Sequence, residues 1–172
     1  MRIAGFRREI FLALALAGIA TAAAGQGAQG EWRTFEGTWS ASGHRQTLPA
    51  YGERPAATVQ LSGAVVLTRG EGLSLGFRGE AIGFDDGRSV SVGSAVWTDE
   101  RGDRIFSELK GEPMATGRRI AGFITGGTGR YAGLTGEYSL EWQYVVTAED
   151  GLIQGRAVGL KGKWRRAVEE KR

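Results

Sequence analysis

Any chemistry in this 172-residue chain has to come from a short set of side chains. Cysteine is absent, which removes thiolate nucleophiles and cysteine-held metals. His44 is the sole histidine; it sits in a polar, turn-rich stretch and reads as an exposed loop residue. Three glutamates are the candidate catalytic groups. Glu36 alternates with Trp32, Thr34 and Thr38, Glu80 stands two residues from Arg78, and Glu108 shares a face with Phe106. A carboxyl turned into an apolar interior has its pKa raised and becomes suited to acid–base work; on an outer face it is a solvated charge. Arg78, and Arg156 through its alternation with Val158, Leu160 and Trp164, are the charges that could orient a ligand. Trp97, Tyr138 and Trp142, with Trp39 and Tyr144, offer aromatic surface for a flat molecule, or simply fill a core. Asp85 and Asp86 precede Gly87 and read as turn formers, with too few oxygens nearby for calcium; no metal site is expected. In the charged segment 99–104, Asp99, Arg101, Asp103 and Arg104 can pair across a turn.

One stretch looks at first like a phosphate cradle. Gly127-Thr128-Gly129-Arg130-Tyr131-Ala132 fits G-x-G-x-x-G/A and follows an apolar run ending at Ile124. A dinucleotide loop needs a helix directly after it, because the helix N-terminus holds the pyrophosphate. Here Gly133-Leu134-Thr135-Gly136 follows, and then a period-two alternation. The match is therefore a folded-in turn between two strands, with Tyr131 tucked against the end of the domain.

The elements that position these residues are strands. Tyr138, Leu140, Trp142, Tyr144 and Val146 share one face, with Glu137, Ser139, Glu141 and Gln143 on the other. Val59, Leu61, Val65 and Leu67 alternate likewise, as do Val90, Val92 and Val96, and Val158, Leu160 and Trp164. Asp86-Gly87, Asp150-Gly151 and Glu100-Arg101-Gly102 mark hairpin turns. Strands are expected near 31–40, 56–68, 73–84, 88–98, 103–111, 118–125, 134–147 and 152–164, with no helical window between them. Eight long, glycine-kinked antiparallel strands favour an all-β, up-and-down barrel, which removes exposed edges; a two-sheet sandwich is the alternative.

The N-terminus reads as an export signal. Arg2, Arg7 and Arg8 precede the apolar run Ile10–Ala20 and the small residues Ala22-Ala23-Ala24. Residues 1–24 are assigned to a signal peptide and 25–172 to one barrel domain, which places the protein in the periplasm or outside the cell. The apolar run is short for a membrane span, so no stable insertion is expected once the signal is removed. The full chain carries 22 basic and 19 acidic residues; Arg2, Arg7, Arg8 and Glu9 leave with the signal, so the remainder is near neutral at 19 against 18. That leaves no basic stripe of the kind nucleic-acid binding needs.

Gly126-Gly127-Thr128-Gly129-Arg130-Tyr131-Ala132-Gly133-Leu134-Thr135-Gly136 resembles the G-G-T-G-x-[FY]-x-x-x-x-G turn of the dirigent and allene oxide cyclase barrels. The stretches FEGTWSASGHRQTLPA, GEAIGFDDG and VWTDERGDRIFSELKGE are similar to a bacterial exported branch with that barrel. The resemblance implies an eight-stranded barrel, a cavity for a small apolar molecule, and a homo-oligomer, trimer or dimer. In the plant cyclases the substrate is an unstable fatty-acid epoxide, and in dirigent proteins a phenoxy radical or quinone methide. The cyclases hold a water with an asparagine, and this chain has none; Glu36 is the nearest counterpart of their first-strand glutamate. The expected function is binding of a small, largely apolar ligand in the barrel without any cofactor. The alternatives are a cofactor-independent cyclase or isomerase using an inward carboxylate, and a solid-cored structural protein. The interior decides among the three.

Overall fold

The structure, a computed structural model, describes residues 30–49, 54–115 and 117–167. The expected signal peptide lies outside these residues. Eight strands follow one another: β1 (Arg33–Leu48), β2 (Ala56–Gly70), β3 (Gly76–Asp85), β4 (Ser91–Thr98), β5 (Arg104–Met114), β6 (Gly117–Gly127), β7 (Leu134–Thr147) and β8 (Leu152–Arg166). Each pairs antiparallel with the next, and β1 pairs with β8 to close the ring. This is an up-and-down barrel rather than a sandwich, and every strand has a partner on both sides. A short 3-10 turn, Gly129–Tyr131, is the one helical element among the described residues.

The period-two pattern sends apolar residues inward. Phe35, Trp39 and Ala41 from β1, Leu61, Val65 and Leu67 from β2, and Tyr138, Leu140 and Trp142 from β7 are all buried. Charged residues such as Glu108, Lys110, Arg119 and Lys161 stand outward. The interior is apolar, and the outer face mixes these charges with exposed apolar side chains such as Ile82, Phe84 and Phe123. Large rings fit because inward positions on neighbouring strands are small: a Cβ at Gly122 would sit within the ring of Tyr138, its direct cross-strand partner.

Three local expectations are corrected. First, β1 runs on to Leu48, beyond the expected end near residue 40, because its polar second half pairs on both edges. His44 lies opposite Gln60 and Leu152, so it is an exposed strand residue, not a loop residue. Second, β4 turns Ala95 and Trp97 inward, while Val92 is 48% exposed and Val90 47%. Both faces of that strand are apolar, and the crowded interior selects the small residue beside the large one. Third, β8 carries a bulge. Trp39 pairs with Ala157, but Gly37 pairs with Leu160, so one extra residue enters at Val158–Gly159, where Gly159 has a φ of 64°. An inserted residue reverses the phase of the strand. Ile153 and Ala157 point inward before it and Leu160 and Trp164 after it, leaving Arg156 and Val158 outside.

Candidate functional site

The two ends of the barrel differ. At one end the glycine-rich turn between β6 and β7 folds in as a plug. Tyr131 is fully buried, its ring lies 5.8 Å from that of Phe77, and its hydroxyl accepts the Ser74 N–H at 3.3 Å. Thr128 and Ala132 anchor the turn through backbone bonds to Arg104 and Gly129. Beneath it, the carboxylate of Asp99 accepts the backbone N–H groups of Arg101 and Asp103 and the Nε–H of Arg130, whose second nitrogen also reaches Glu100. Burial pushes the Asp99 carboxyl upward. Donation from Arg101, Arg130, Tyr131 and Asp103 outweighs it, and the group stays below the usual carboxylate range. The N–H groups of Thr128, Arg130, Tyr131 and Ala132 are spent on bonds within the fold, and a strand rather than a helix follows the turn, so the phosphate-cradle geometry is not formed.

From this plug an aromatic column rises through the lower barrel. Phe77 meets Trp97 at 5.8 Å, Phe35 meets Trp97 at 6.0 Å edge-on, and Trp97 meets Tyr138 at 5.0 Å. Above Trp97 and Tyr138 the column stops and the interior is hollow. The cavity has a volume of about 370 Å³. Trp97 and Tyr138 form its floor, Trp39, Leu61, Leu140 and Trp142 its walls, and the small residues Ala81 and Ala95 leave the space open. The barrel is thus solid at one end and hollow at the other, a combination of two interiors that sequence reasoning had set against each other.

The floor carries one hydroxyl. Burial pushes the Tyr138 phenol up to about 12, opposed by a hydrogen bond with the buried Ser107, so near neutral pH the group is a neutral donor or acceptor. The mouth is charged. Arg118 at the start of β6 forms an ion pair with Asp85 at the end of β3, both side chains mostly buried at 20% and 14% exposure. Asp85 also accepts the Gly87 N–H at 2.9 Å. Arg45, from the added length of β1, lines the same mouth. Desolvation lowers the pKa of Arg118; the nearby Tyr144 raises it, and the charges of Arg54 and Arg45 lower it further. An arginine keeps its proton regardless, so this marks crowding of positive charge rather than a switch. A shallower open groove adjoins at Ala115, bordered by Arg54, Arg88 and Met114.

The sequence-derived candidates divide cleanly. Trp97, Tyr138 and Trp142 all line the cavity. Glu36, Glu108 and Arg156 are exposed on the outer face, and Arg78 and Glu80 pair there at 3.1 Å with 65% and 46% of their side chains exposed. None of these five faces the cavity. The residues that sequence reasoning missed are Arg45, Arg118 and, in its role at the mouth, Asp85. Asp85 does cap the turn its sequence suggests; its place beside Arg118 and Arg45 arises only when the barrel closes.

No family model matches the chain, and no curated protein matches it. Among solved structures, pyocyanin demethylase overlays with a TM-score of 0.41 and 15% identity, covering 75% of this chain and 99% of that one. A pterocarpan synthase dirigent protein overlays at 0.43 with 10% identity, covering 80% and 93%. The second belongs to one of the families whose turn signature residues 126–136 resemble. Overlays this loose leave the chemistry to be argued from the cavity itself.

Proposed function

We propose that this protein binds a small, largely apolar molecule inside the open half of its barrel. The observation that carries the reading is the cavity of about 370 Å³, walled by aromatic and aliphatic side chains and opening at a polar mouth. Its size falls in the roughly 300–1,000 Å³ range of small-molecule sites, and its lining of apolar surface with a few polar groups follows the same pattern. Binding is favoured over a cyclase or isomerase because the candidate glutamates stand outside, and Asp85, the one carboxylate among the described residues lining the cavity, is held by Arg118. The reading includes export to the periplasm or beyond, supported by the arginine-led apolar run of residues 1–24.

The test is native mass spectrometry on protein purified without detergent, paired with titration of the neutral apolar dye N-phenyl-naphthylamine. A retained small molecule released on denaturation, or saturable dye binding of one molecule per barrel, is the expected result. Absence of both an adduct and dye binding would leave only the structural role.

A further inference from the structure

The mouth holds a feature that a purely apolar ligand does not require. Asp85 closes β3 and Arg118 opens β6, and these strands are three apart in the ring of eight. Their ion pair is therefore not a neighbour-strand contact; it bars the opening from one side of the barrel to another. Asp85 is the one carboxylate among the described residues lining the cavity, while Arg45 and Arg118 both line it and Arg54 adds positive charge beside Arg118. Partly buried charge that is not matched by its opposite is costly. Among the described residues that line the cavity, two guanidinium groups stand against one carboxylate, and a concave, low-dielectric opening concentrates their field. An arginine is also well suited to a two-pronged grip on a carboxylate or sulfonate.

We propose that the Asp85–Arg118 pair is an exchangeable bar: Arg118, helped by Arg45 and Arg54, takes the anionic group of an otherwise apolar ligand, and Asp85 is the internal anion it displaces. This rests on the binding reading above and names the ligand class, an apolar body carrying one carboxylate or similar anion. The body fills the aromatic-lined hollow, and the anion stays at the mouth, where desolvation is incomplete. Asp85 released from Arg118 keeps its bond from the Gly87 N–H and gains water, so its displacement leaves no stranded charge.

The test compares two dyes with nearly the same body, the neutral N-phenyl-naphthylamine and anilinonaphthalene sulfonate, on the full chain and on Arg118→Gln, Arg45→Gln and Asp85→Asn. The amide oxygen in Asp85→Asn still accepts the Gly87 N–H, and thermal unfolding checks that each variant is folded. The sulfonate is expected to bind at least about tenfold more tightly than the neutral dye, the scale of one charge-assisted hydrogen bond. Arg118→Gln should reduce that ratio severalfold, Arg45→Gln should reduce it less, and Asp85→Asn should increase it. If Arg118→Gln is unfolded, Arg45→Gln and Asp85→Asn still carry the comparison. A ratio near one on the unmodified chain, or a ratio indifferent to these substitutions, overturns the bar while leaving ligand binding intact. Binding of neither dye overturns the bar, and together with no retained small molecule in native mass spectrometry it overturns the binding reading as well.

Discussion

Replacing Tyr131 with alanine tests the conclusion that the glycine-rich turn is a plug and not a ligand cradle. The ring is fully buried, stacks near Phe77, and has the Arg130 guanidinium 5.3 Å from its centre. Removing a buried aromatic side chain costs about 3–5 kcal/mol, and the lack of any exposure places this one toward the upper end. The Ser74 N–H, which donates to the hydroxyl, loses its acceptor, adding about 1 kcal/mol. The sum, about 4–6 kcal/mol, is a large part of the roughly 5–15 kcal/mol that holds a domain folded. For a domain of this size it corresponds to a drop in Tm on the order of 15 °C. Tyr131→Phe keeps the ring and should cost only about 1 kcal/mol. Urea unfolding followed by tryptophan fluorescence, with thermal melts followed by circular dichroism, measures both. A loss below about 1 kcal/mol for Tyr131→Ala, or equal losses for the two variants, refutes the plug.

Filling the hollow should separate binding from stability: Ala81→Phe or Ala95→Phe places a ring in the cavity and should abolish neutral-dye binding. The melting temperature should fall less than overpacking a solid core would cause, normally about 1–3 kcal/mol. The acid limb of stability should depend on Asp99. Its pKa is lowered in the folded state, so its contribution is fully present above the unfolded carboxyl value near 3.9 and is lost as pH falls through the lower folded value. Denaturant unfolding of Asp99→Asn between about pH 2 and 6 should show a flatter dependence than the unmodified chain. Replacing Glu36 or Glu108 with alanine should change stability by no more than about 0.5 kcal/mol and leave dye binding unaltered, because both side chains are exposed outside the barrel.

Strand number, order and the turn at 126–136 were legible because most strands repeat a two-residue alternation and hairpins such as those at Gly87, Gly102 and Gly151 carry a glycine-containing turn. Tyr138, Trp142 and Trp97 were found as aromatic surface for the same reason. Legibility failed where a single residue changed the phase. The bulge at Val158–Gly159 reverses β8, so Arg156 shares its face with Val158 but not with Leu160 or Trp164. It failed again in β4, where Val92 and Trp97 are both apolar and alternation cannot rank two apolar faces; the volume left by the rest of the interior does. The mouth was illegible for a third reason. Asp85 and Arg118 are 33 positions apart and not on adjacent strands, so neither periodicity nor hairpin register announces them as partners. Arg45 was lost because the polar second half of β1 looks like loop until both its edges are seen to be paired.

The Gly30 N–H donates to the Arg166 carbonyl at 3.1 Å, and Ala167 returns a bond to Gly133 in the plug turn. The described chain therefore comes in and goes out side by side at the sealed end, while the hollow faces the opposite way. A segment joined directly at Gly30 or Ala167 starts from behind the barrel. A copy tethered at those two points presents its opening outward like a cup held by its base. A fusion placed in the hairpin at Asp86-Gly87 would instead stand over the rim.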